Sequence, residues 1–147
     1  MAKKIYSIED LLRAESVDWA ALSKDPSQLC SPLAVRYFAK DIDWTLYLLS
    51  HRSSVNEAIL SYGSKYFEPK HYSLACQLGY ADEAFLRLHL EDVSFKDIIL
   101  FCRVSDEFLV EYLDRWKDIP NVGALFRKSK WFDEALYPQT SVILKTL

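Results

Sequence analysis

Val17-Asp18-Trp19-Ala20-Ala21-Leu22-Ser23 comes back further along the chain as Ile42-Asp43-Trp44-Thr45-Leu46-Tyr47-Leu48-Leu49-Ser50. Each copy opens with a β-branched residue, an aspartate and a tryptophan, and each closes on a serine. An aspartate just ahead of an apolar run at helical spacing is a preferred N-cap, because its carboxylate accepts a hydrogen bond from a free N–H of the first turn. Both copies therefore read as short capped helices with a tryptophan in the first turn.

Working outward from this pair, the same grammar recurs. Ser7-Ile8-Glu9-Asp10 has the capping-box form and precedes Leu11 and Leu12. Ser31-Pro32 is a cap followed by proline in the first turn, where its missing N–H costs nothing. Ser54-Val55-Asn56-Glu57 and Ser94-Phe95-Lys96-Asp97 are two further capping boxes, and Gly63 and Gly79 are placed to end helices. Ser105 or Asp106 starts an amphipathic helix with Leu109, Tyr112, Leu113 and Trp116 on one stripe, and residues 130–136 read as a last short helix stopped by Pro138. Three glycines, five prolines and no Asn-Gly or Asp-Gly pair leave little with which to turn hairpins. The expected fold is all-α, an array of about ten short helices that depend on tertiary packing. Residues 1–147 are expected to form a single domain, with 139–147 as a loosely attached tail.

Aligning the unit starts at Trp19, Trp44, Phe67, Phe95 and Asn121 gives spacings of 25, 23, 28 and 26 residues. A period of this length is the mark of stacked units, each too small to bury its own face, and predicts a degenerate, solenoid-like helical repeat. The Asp-Trp-x-x-Leu-Ser pattern of Asp18-Trp19 and Leu22-Ser23 resembles tandem short helical repeats of phage and giant-virus proteins. In the second copy Asp43-Trp44 matches, whereas Leu49-Ser50 comes two residues late. The resemblance covers mainly residues 17–50. It implies a viral or mobile-element origin and carries no known activity.

Composition narrows the functions. Half the residues are hydrophobic and 14% are aromatic, so the chain is expected to fold around a real core. A net charge of −3 argues against a general nucleic-acid binder and is too weak for an imitator of DNA. Asp82 to Asp118 holds ten acidic residues against five basic ones, most simply solvated helix faces. Cys30, Cys76 and Cys102 are widely spaced with no zinc-type pattern, which fits reduced thiols in a soluble, cytoplasmic protein. That compartment is the host cytoplasm if the chain is viral. No secretory signal or membrane-length apolar run is seen.

The chemistry-bearing residues do not assemble into a catalytic, cofactor-binding or metal-ligating motif. His51, His71 and His89 form no HExxH pair, and His51 is placed to meet the C-terminal carbonyls of the Trp44 helix. Asp43 is accounted for by capping and Asp41 by solvent. The expectation is a non-enzyme without a cofactor: a protein–protein interaction module, in its sharpest form a phage or viral inhibitor of a host defence protein. Tyr112, Arg115, Trp116, Trp131 and Phe132 are the candidate partner-binding residues, being of the types that dominate interfaces. The alternative is a weak, salt-sensitive nucleic-acid contact through Lys3, Lys4, Arg127, Lys128 and Lys130.

Overall fold

The computed structural model describes residues 4–147. Every regular element among them is helical: α1 (Ile8–Arg13), α2 (Trp19–Lys24), α3 (Pro32–Phe38), α4 (Trp44–Ser50), α5 (Glu57–Ser64), α6 (Pro69–Gln77), α7 (Glu83–Leu88), α8 (Phe95–Phe101), α9 (Asp106–Glu111), α10 (Leu113–Trp116), α11 (Val122–Lys128) and α12 (Pro138–Thr146). None is long and apolar enough to cross a membrane.

Capping sets where these helices begin. Ser7, Ser31, Asn56, Asp82 and Ser105 precede α1, α3, α5, α7 and α9, and each side chain accepts the N–H three residues on. Each such bond is worth about 1 kcal/mol to a helix too short to persist alone. Four residues past these caps lie Leu11, Val35, Leu60, Leu86 and Leu109, all buried. The intervening helices α2, α4, α6, α8 and α11 start at Trp19, Trp44, Pro69, Phe95 and Val122, roughly 25 residues apart. Asp18 and Asp43 cap α2 and α4 as the paired stretches predict.

The chain divides into two compact units, Met1–Leu74 and Ala75–Leu147, with the division inside α6. In the first unit α2 packs on α4 and α3 on α5. Trp44 is 3% exposed, sits edge-on to Tyr47 and Phe67, and donates its indole N–H to the Ala39 carbonyl at 2.8 Å. Trp19 is half-buried, 5.2 Å from Phe38. The buried Ser23 hydroxyl accepts the Asp43 N–H at 2.9 Å, so the closing serine of one copy braces the cap of the next. His51 does meet its own helix end: its ring stacks on Tyr47, Nδ1 lies 3.2 Å from the Tyr47 carbonyl and Nε2 2.7 Å from that of Gln28. Gln28 in turn holds the Lys4–Tyr6 backbone through both ends of its amide.

In the second unit α8 packs on α10 and α11, and α9 on α12. Its core includes Phe95, Ile98, Ile99, Phe108, Leu109, Trp116 and Phe126.

Several local expectations change. The helix after residue 54 starts at Glu57 with Asn56 as cap. Gly63 lies inside α5 and does not end it; a Cβ there would stand 2.5 Å from the Trp44 ring, so glycine is required by that ring. Gly79, by contrast, has φ +84° and follows α6 as a helix-ending glycine should. The stripe from Leu109 to Trp116 is broken between α9 and α10. Residues 130–136 are not helical, with a turn at 134–136, and Pro138 opens a helix where it was expected to stop one. The tail is that helix: Asp106 accepts the Gln139 and Thr140 N–H groups at 3.0 and 2.9 Å and the Thr140 hydroxyl at 2.6 Å, supplying from α9 the cap that Tyr137 lacks. The start of the 139–147 stretch, Gln139 and Thr140, is thereby fastened to α9.

Candidate functional site

The residues expected to bind a partner separate into two environments. Trp116 is fully buried, donates to the Leu109 carbonyl at 2.8 Å and packs edge-on against Phe126 at 5.3 Å. It is core, and its assignment to a binding surface is corrected. The α9–α10 stripe that carries it faces inward because Leu109 and Phe108 do. Trp131 and Phe132 are half-buried in an aromatic cluster with Phe126 and Tyr137, where ring centroids are 4.8–6.1 Å apart. The Trp131 indole N–H is buried without a protein partner.

Tyr112 and Arg115 belong to a different arrangement. Arg87, at the exposed side of α7, pairs with Glu111 and donates to the Tyr112 hydroxyl at 3.0 Å. Its guanidinium lies over the Phe108 and Tyr112 rings at 5.2 and 5.5 Å. The Tyr112 hydroxyl and Arg87 together hold the Glu111 carboxyl below its usual range, and the same hydrogen bond to Glu111 pushes the Tyr112 phenol up. One helical turn along, Arg115 pairs with Glu91 and lowers that carboxyl in the same way. The side chains stay 40–77% exposed, so these pairs add little stability. They gather five polar side chains on one face. Leu88, next to Arg87, is 79% exposed. Arg87, Leu88, Glu91 and Glu111 do not stand out in the sequence one by one. Their signal was the spacing, since each arginine lies 24 residues from its glutamate.

The nearest approach to a catalytic arrangement is His71 beside Thr45, with Lys40, Asp43, Tyr66, Glu68 and Lys70 around the same shallow cavity of about 240 Å³. His71 Nδ1 accepts the Glu68 N–H at 2.9 Å, which places the ring proton on Nε2, 3.1 Å from the Thr45 hydroxyl. The imidazole thus donates to Thr45 and cannot take its proton, the reverse of what an activated nucleophile needs. It serves as a clamp between α4 and the start of α6. Burial, then the neighbouring Lys70, holds this imidazole below its ordinary value. The unfolded chain therefore binds the proton first, and stability falls as pH drops below about 6.5, by at most about 1.4 kcal/mol per pH unit. The carboxyls lowered at Glu91 and Glu111 lose their contribution further toward acid. In urea titrations between pH 7 and 5, His71→Gln should flatten the pH dependence of the midpoint; an unchanged slope would assign it elsewhere.

Of the basic residues, Lys3 lies outside the described residues. Lys4 belongs to the first unit, its ammonium 5.3 Å from the Tyr6 ring centroid. Arg127, Lys128 and Lys130 cluster at the end of α11, with Lys130 over Phe101 at 5.5 Å. Among the described residues, no group of three or more His, Cys, Asp or Glu side chains is arranged to hold a metal ion. Cys76 and Cys102 are buried, and a hydrogen bond between them, together with burial, raises the Cys76 thiol far above its ordinary value. Comparison of the chain with protein-family models, curated proteins and solved structures gives no match.

Proposed function

We propose that the chain is a non-catalytic module that binds another protein through the exposed face of its second unit. The observation that carries this reading is the braced set of Arg87, Glu91, Glu111, Tyr112 and Arg115 beside Leu88, which is 79% exposed. Arginine and tyrosine are the residue types that dominate interfaces, and a protruding leucine supplies an apolar anchor. A stack of short helical units is the scaffold on which such a face is extended. Given the viral flavour of the repeat, an inhibitor of a host defence protein is the sharpest form of this reading.

Leu88→Asp and Arg115→Ala test the proposal, because neither residue is buried. Wild type should capture a stoichiometric protein from host lysate, and Leu88→Asp should weaken purified binding by about 2 kcal/mol, roughly thirtyfold, while circular dichroism stays unchanged. Equal capture by wild type and both variants would place the interface elsewhere. The nucleic-acid reading is weaker, since Arg127, Lys128 and Lys130 offer about three phosphate contacts, too few to hold a strand at physiological salt.

A further inference from the structure

A cavity of about 340 Å³ in the second unit is lined by Gly123, Phe126, Arg127, Phe132, Leu144 and Lys145, with Ser141 and Glu134 at its edge. Its walls come from α11, the turn after it and α12. The volume falls in the range of small-molecule sites. Phe132 packs edge-on against Phe126 at 4.8 Å, which makes one wall aromatic and rigid. Arg127 and Lys145 are exposed, and among the described residues neither is in an ion pair. Glu134 is the single carboxylate of the lining and is not paired with either cation, so the cavity keeps a surplus of one positive charge.

We infer that this cavity binds a small organic phosphate with a flat apolar body. Arg127 and Lys145 outweigh the one carboxylate of Glu134 and so favour an anion, and the planar guanidinium presents paired donors to phosphate oxygens. The half-buried Phe132, backed by the buried Phe126, takes the apolar body, as aromatic rings do in ligand pockets. Inorganic phosphate offers the charge without the body, and phenol the body without the charge; neither uses both halves of the site.

The probe is phenyl phosphate, titrated by calorimetry into the whole chain at low salt. It should bind one to one and at least tenfold more tightly than inorganic phosphate or phenol. Arg127→Ala and Lys145→Ala should each weaken binding about tenfold, and Glu134→Gln should tighten it severalfold by removing the like charge. All three positions are exposed, and circular dichroism checks that the variants keep their helices. Free phosphotyrosine and adenosine 5′-monophosphate then compete against phenyl phosphate, and the better competitor identifies the source of the ligand. No saturable binding, binding that survives the double variant Arg127→Ala/Lys145→Ala, or equal affinity for inorganic phosphate would each overturn the inference.

Discussion

Trp44→Ala is expected to destabilise the first unit by about 3–5 kcal/mol, read as a lowered urea midpoint by circular dichroism. The indole is 3% exposed and fills the space among Tyr47, Phe67 and α5, so truncation leaves a cavity that rigid rings cannot close. It also strands the Ala39 carbonyl, which loses its 2.8 Å donor. The complementary change is Gly63→Ala. Three ring atoms of Trp44 lie 2.5–2.8 Å from the position of the new methyl, and neighbouring rings block the indole from moving aside. Overpacking of this kind costs about 1–3 kcal/mol. Because both changes act on one contact, Gly63→Ala combined with Trp44→Leu should cost less than the two single changes together. Strict additivity would mean that the ring and the glycine do not share the space assigned to them.

Gly63 also marks where sequence reading stops. Helix starts were legible because capping is local: Ser7, Asp18, Ser31, Asp43 and Ser105 each act on an N–H three residues away, whereas Ser94 precedes α8 without making the side-chain bond its capping-box form predicts. A glycine near a helix end looks the same whether it supplies a left-handed φ, as Gly79 does, or makes room for a ring from another helix, as Gly63 does. Pro138 is ambiguous for a similar reason. Proline suits the first turn of a helix as well as the residue after one, and what decides is Asp106, more than 30 residues earlier in the chain, which caps the helix that Pro138 opens. In the candidate site Tyr112 and Arg115 were visible as polar and aromatic positions, but their partners Arg87 and Glu91, 24 to 25 residues earlier, are brought beside them only by the fold of the second unit.

Trp116 shows the same limit with a larger energetic consequence. Amphipathic spacing put it on a stripe with Tyr112 and left open which way the stripe faced; the structure puts Trp116 at 0% exposure and Tyr112 at the rim. Trp116→Ala is therefore expected to cost the second unit about 3–5 kcal/mol, a large share of the 5–15 kcal/mol typical of a domain. The loss combines the indole packed on Phe126 with its hydrogen bond to the carbonyl of the buried Leu109. Trp116→Phe separates the two, keeping most of the ring volume while removing the N–H, at about 1–3 kcal/mol. Partner binding should follow folding across this pair: lost with Trp116→Ala at temperatures where the unit melts, and retained by Trp116→Phe below its own midpoint. Tyr112→Phe should do the opposite, keeping the ring on Phe95 and Phe108 and the melting curve near that of wild type while its lost hydroxyl weakens binding. A Trp116→Ala protein with an unchanged midpoint and no partner binding would return that tryptophan to the interface and undo the assignment of this helix face to the core.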